Sequence, residues 1–195
     1  MSQNWTLRRT SSPSGLAVSL QAVKDHLRIS GTAQDDHLTL LIEASTEKLE
    51  RDINRGIIAA TWQQSLDKFP SNNDPIPLHM GNDTSVSSIT YVDEDNVTQT
   101  LATANYSYSN PRSVVFCEST DGWPSTSTDS KSDKVFINFT CGSADDGCVP
   151  RLVKQAILLE VGRAYFDPAQ ENQSNTDNGK TYENLVLKLI RSSYP

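Results

Sequence analysis

Three histidines, three cysteines and a few paired acids are the residues of this chain that could do bond chemistry, and their spacing argues against it. His26, His37 and His79 are scattered, the first two beside charged residues in helical sequence and the third in a loop. No Gly-x-Ser-x-Gly elbow, His-Glu-x-x-His pair or phosphate loop occurs, so no nucleophile has a base or anion cradle at a known spacing. Cys117, Cys141 and Cys148 form an odd, sparse set, and no histidine stands where a fourth zinc ligand would be needed. Cys141 and Cys148 flank a Gly/Asp loop and could approach each other in an oxidising setting. Asp35-Asp36 reads as a helix cap with a first-turn acid, and Asp145-Asp146 as a turn before a helix. Asp93-Glu94-Asp95-Asn96 has the composition of a calcium loop but not its twelve-residue ligand spacing, and reads as a hairpin tip. No catalytic, cofactor-binding or metal-binding residue is assigned, and the chain reads as a non-enzyme.

Charge narrows the partners. The net charge is −7 over 195 residues. Residues 61–148 carry 4 Lys+Arg against 12 Asp+Glu, while the flanking parts are close to balance. A phosphate-gripping surface needs clustered lysine and arginine, and none is present. Direct nucleic-acid binding is disfavoured, although a surface that repels DNA is compatible with this charge. No run has the apolar length of a membrane span. Arg8-Arg9 is followed by Thr-Ser-Ser-Pro-Ser-Gly instead of an apolar stretch, so a twin-arginine export signal is rejected and cytoplasmic synthesis is expected.

The elements that would position any site come in an unusual order. Residues 1–17, rich in Ser, Thr and Arg, read as a flexible arm whose Trp5 and Leu7 could anchor on a neighbour. Ser19 caps a short helix to about Arg28, with Val23 and Leu27 on one face, and Gly31 ends it. Asp35 or Asp36 caps a longer helix whose Leu38, Leu41, Ile42, Ser45, Leu49 and Ile53 fall on one stripe. Gly56 stands where a C′ glycine belongs.

From Thr61 the period changes to two. Strands are predicted at 62–69, 76–78, 86–92, 97–101, 106–108, 113–116 and 134–140, the fourth joined to the third by a four-residue loop. Lys134-Val-Phe-Ile-Asn-Phe-Thr140 is the strongest, with Val135, Ile137 and Phe139 sharing a face. Trp62 is expected in a core joining helices to strands. Trp123, in a Ser/Thr/Asp-rich loop from 120 to 132, either folds back over the sheet or anchors an interface. Tyr106 and Tyr108 share a strand face and could stack on a sugar. Helical periodicity returns at Pro150 with Leu152, Val153, Ala156, Ile157, Val161 and Ala164, and Asp167-Pro168 stops it. After a polar linker from 170 to 179 comes a last short helix, with Tyr182, Leu185, Val186 and Leu189 on one side.

These periodicities predict an α+β fold: a small antiparallel helical-bundle platform with a large antiparallel β insert between the second and third helices. The expected parts are a flexible arm (1–17), the platform (18–60 and 149–166), the β-rich insert (61–148), and a linker with C-terminal helix or tail (167–195). The apolar stripes exceed what a three-helix platform would readily hide, which leaves surface for neighbours.

The order of these segments carries a resemblance. Val18-Ser-Leu-Gln-Ala-Val-Lys-Asp-His-Leu-Arg-Ile29, Asp35-Asp36-His-Leu and Ile42-Glu-Ala resemble the opening of tailed-bacteriophage head–tail connector (adaptor) proteins. Ile57-Ile-Ala-Ala-Thr-Trp-Gln-Gln-Ser-Leu-Asp-Lys-Phe-Pro70 resembles that family's helix-to-strand junction. Val86-Ser-Ser-Ile-Thr-Tyr-Val-Asp93 and Pro150-Arg-Leu-Val-Lys-Gln-Ala-Ile-Leu-Leu-Glu-Val-Gly162 are similar to its β insert and returning helix. The resemblance spans about residues 18–165. It departs from the family in the Ser/Thr loop near Trp123, the linker at 170–179 and the cysteine-containing turn before Pro150.

The resemblance implies a structural ring of twelve subunits beneath the portal in the virion neck, assembled in the host cytoplasm. Such a ring extends the DNA channel and offers a docking platform to the tail or stopper. DNA would pass through it without sequence-specific binding, and no membrane or cofactor is implied. The expected interface residues are Trp5, Leu7 and Trp123, with Tyr182, Leu185, Val186 and Leu189 on a C-terminal helix free to dock on the portal. Two other readings stand beside this one: a different neck or tail-completion protein, and a carbohydrate- or receptor-binding β module.

Overall fold

A computed structural model describes residues 5–81, 84–129, 133–166 and 177–191. The chain divides into two compact units, one of residues 14–58 and 143–195, the other of residues 1–13 and 59–142.

The first unit is helical: α1 (Leu20–Leu27), α2 (Asp35–Ile53), α3 (Arg151–Phe166) and α4 (Asp177–Arg191). Ser19 caps α1 as its sequence predicts, its hydroxyl accepting from the Ala22 N–H at 3.3 Å. Ser19→Ala should cost about 1 kcal/mol of stability, readable as a lower denaturant midpoint. The ends of the helices differ from the sequence reading. Asp35 and Asp36 sit in the first turn of α2, where they face its positive end, and Gln34 occupies the cap without a side-chain bond. Asn54, in the left-handed region at φ 52°, closes α2 in place of Gly56. Arg28, at φ 58°, closes α1 ahead of Gly31. Asparagine tolerates that backbone region better than most residues, so α2 can stop two residues early.

The predicted stripes of α2 and α3 face one another in one core, as expected. Leu38, Ile42 and Leu49 meet Val153, Ala156, Ile157 and Val161, with Val23 of α1 beside them. Burying each large aliphatic side chain contributes roughly 1.5–3 kcal/mol. The expectation for the C-terminal helix is corrected. Residues 167–176 of the predicted linker lie outside the described residues, and α4 begins at Asp177, inside that linker. The helix is docked, with Tyr182, Val186 and Leu189 buried in this same core and Leu185 partly so.

The second unit is β. A five-stranded antiparallel sheet has the order β1 (Trp5–Arg9), β2 (Ala60–Leu66), β8 (Val135–Cys141), β4 (Ser85–Val92), β5 (Thr98–Thr100). A second, three-stranded sheet has the order β3 (Ile76–Pro77), β7 (Val114–Cys117), β6 (Tyr106–Ser109). β8 lies in the middle because its Val135, Ile137, Phe139 and Cys141 alternate into the core on one face. Ile76, Leu78 and Val115 contribute to the same core. Trp62 belongs to this β core, with the Arg9 guanidinium 5.7 Å from its ring centre.

The flexible-arm expectation is corrected here as well. Residues 5–9 are a strand paired with β2, from Trp5 opposite Leu66 to Arg9 opposite Trp62. The Thr10 N–H continues the ladder to the Thr61 carbonyl at 2.8 Å.

Candidate assembly surface

The chemistry-bearing residues do not converge. His26 and His37 are exposed on α1 and α2. His79 is half-buried, its ring stacked on Trp5 with centres 3.6 Å apart, and burial holds its pKa below the usual histidine value. Among the described residues no group of His, Cys, Asp and Glu is placed to hold a metal ion. Tyr106 and Tyr108 are half-buried against the β core instead of forming an open stacking face.

Each expected interface residue has a definite place. Trp5 stays 45% exposed on β1 despite its stack on His79. Leu7 is half-buried against the β core. Trp123 folds back over the sheet: its ring lies parallel to Phe69 at 5.0 Å, and its Nε1 donates to the Asp74 carbonyl at 3.1 Å. Tyr182, Leu185, Val186 and Leu189 face this chain's own helices, so their contacts are intramolecular. The outward side of α4 instead carries Leu187 and Ile190, one turn apart and both exposed. Phe166, at the end of α3, is 73% exposed.

Besides its apolar side, α4 is tied to α2 and α3 by a polar cluster that the stripe reading passed over. Glu160 is buried on α3, and its carboxylate accepts from Lys48 Nζ at 2.7 Å and from Arg163 Nε at 3.1 Å. Burial pushes the Glu160 carboxyl up, but the hydrogen bonds and charges of Arg163 and Lys48 outweigh it, so its pKa lies below the ordinary value. The Lys48 ammonium also lies 4.9 Å from the Tyr182 ring centre, and the Tyr182 hydroxyl donates to Asp52 at 2.8 Å. Burial, with Asp52 close by, keeps the phenol protonated far above its usual range. Side chains of α2, α3 and α4 thus meet in one network. The available signal was position: Glu160 follows Val153, Ala156 and Ile157 at helical spacing, on the apolar stripe itself.

Within α2, Glu50 is buried and accepts the Ile57 N–H at 2.8 Å, pinning the chain just after the helix. The described residues include no helix long and apolar enough to cross a membrane.

Several apolar side chains stay exposed on these surfaces, among them Trp5, Phe166, Leu187 and Ile190. The chain superposes on a chain from the neck of an empty gene transfer agent particle, determined with C6 symmetry, at TM-score 0.77 and 19% identity, with 94% of each chain covered. A chain of the virion of a native gene transfer agent particle gives 0.75 at 20% identity, again over 94% of both. The neck of the native particle, treated with C12 symmetry, gives 0.73 at 17% over the same share. At these identities the likeness is one of fold. No curated protein matches the chain. The family model described as "Phage gp6-like head-tail connector protein" matches residues 17–114, half of the sequence. The chain therefore belongs to the phage gp6-like head–tail connector family.

Proposed function

We propose that this connector works as a ring of twelve copies beneath the portal in the neck of a phage-like particle. There it prolongs the DNA channel and presents a platform to the tail or stopper. The observation that carries the reading is the family match over residues 17–114, joined to a fold shared along 94% of its length with neck proteins. One of those necks was treated with C12 symmetry, which supports the number of copies. The role is structural and non-catalytic, assembly takes place in the host cytoplasm, and the neighbours in the neck are the portal and a tail or stopper protein. The acidic excess of residues 61–148 suits a passage through which DNA slides without being gripped.

Because Tyr182, Val186 and Leu189 are engaged within the chain, docking on the portal by α4 would use Leu187 and Ile190 instead. Replacing both by Ser should leave the fold intact and lower binding to tailless heads by about tenfold or more, as expected for two exposed apolar anchors. Co-sedimentation with heads measures this, and undiminished binding would remove α4 from the docking face. The ring itself is tested by the mass of the full chain, alone and on tailless heads. Twelve copies per head support it; a single copy, or an irregular number, contradicts it.

A further inference from the structure

The five-stranded sheet ends in two edge strands, β1 and β5, and among the described residues neither has a partner on its outer side. Ladder alternation shows which backbone groups face out. Thr10 bonds inward to Thr61, so Arg8 and Thr6 also face β2, and the N–H and C=O groups of Trp5, Leu7 and Arg9 point away. Leu101 bonds inward to Ile89 and Val97 to Asp93, so Gln99 faces β4 while Thr98 and Thr100 point away. Long unprotected edges are aggregation hazards that proteins usually block. These two edges are marked in complementary ways.

The only large hydrophobic side chains of the β unit left exposed among the described residues are Trp5, at 45%, and Val97, at 52%. Trp5 opens β1, and Val97 immediately precedes β5. The charges are opposite: β1 carries Arg8 and Arg9, and the turn into β5 carries Glu94 and Asp95. Asp93 is engaged inside that turn, accepting from the Asp95 and Val97 N–H groups and from Gln99 Nε2. Two β1 edges would repel each other, as would two β5 edges, but β1 attracts β5.

We propose that β1 of one copy pairs edge to edge with β5 of the next copy. The outward groups pair in an antiparallel register that sets Trp5 opposite Thr100 and Leu7 opposite Thr98, and this carries Arg8 and Arg9 to the turn that holds Glu94 and Asp95. The contact is head to tail, so each copy offers one edge of each kind, which is the arrangement that can close into a ring. It is strand addition between copies, with main-chain bonds supplying attraction and the charges fixing direction. The proposal rests on the ring reading above and says where its subunits join.

The test uses the full chain with two charge-reversed forms, Arg8→Glu with Arg9→Glu and Glu94→Lys with Asp95→Lys, each checked for an unchanged melting curve. Mass photometry and negative-stain imaging follow assembly against concentration, alone and on tailless heads. Each form alone should need about tenfold or more protein to assemble, from like-charge contact. An equal mixture should recover wild-type assembly, because alternating copies restore both contacts in an even-numbered ring. Thr98→Pro is a second probe: it removes an outward N–H that the chain's own hairpin does not use, so it should weaken assembly without unfolding. Single forms that assemble like wild type, or a mixture no better than its components, would overturn the interface while leaving the ring reading standing. A wild-type chain that forms no ring, alone or on heads, would overturn both.

Discussion

Phe139→Ala should produce the largest loss of stability of any single change considered, about 3–5 kcal/mol. Phe139 is fully buried on the central strand β8, opposite Trp62 of β2 and Val86 of β4. Truncation removes a ring from the middle of the β core, and the strands on either side are held by their own ladders, so the cavity cannot close. A loss of that size is a large part of the total stability of an ordinary domain, about 5–15 kcal/mol. Phe136, on the opposite face of the same strand, is only half-buried. Its replacement by Ala should cost about 1–2 kcal/mol, in proportion to the smaller area removed from water. Denaturant unfolding of the two variants measures the contrast. Equal losses would mean that the two faces of β8 are packed alike, against the burial pattern described above.

The second large effect concerns the helical unit. Glu160→Gln should destabilise it by about 3 kcal/mol, because the Arg163 guanidinium then loses its carboxylate in a largely buried place. The lower end of the range for broken buried pairs applies, since Lys48 is 43% exposed and can turn to water. The pH dependence has a definite sign. The folded carboxyl has a pKa below its ordinary value of 4.5, so its contribution is fully present above that value and is lost as pH falls through the lower folded one. The gap between wild type and Glu160→Gln should therefore be full at pH 7 and shrink progressively as pH falls below the ordinary value of 4.5. A gap that stayed constant into acid would show that the substitution acts through packing instead of charge. The same change should loosen α4, because Lys48 binds Glu160 and also lies against the Tyr182 ring. Faster amide exchange in α4 than in α1 would register it.

Periodicity carries far in this chain where one face of an element is buried and the other is not. α2, α3 and β8 could be read because their apolar residues recur at the spacing of a single buried face, and the β4–β5 hairpin because a polar four-residue loop separates two strand-like runs. What could not be read is which surface covers each face. Tyr182, Val186 and Leu189 make an apolar side of α4 that would suit a partner or this chain's own core equally well, and only tertiary packing chooses the core. The strand Trp5–Arg9 is short and lies before a Ser/Pro-rich stretch, and its partner β2 is more than fifty residues away. Local sequence holds no sign of so distant a pairing, so the segment reads as an arm. Helix ends are hard to read for a smaller reason: Asn54 and Arg28 take the left-handed turns that glycines such as Gly56 and Gly31 would adopt without strain. The Glu160 cluster was hidden because a charged residue on an apolar stripe looks like a defect until its two cations are seen beside it.

Particle morphology after removal of this chain tests most directly whether it joins heads to tails. A lysate from a phage lacking the gene should contain DNA-filled or emptied heads and separate, complete tails, with joined particles restored when the purified protein is added. Intact head–tail particles in normal numbers without the protein would contradict the connector assignment.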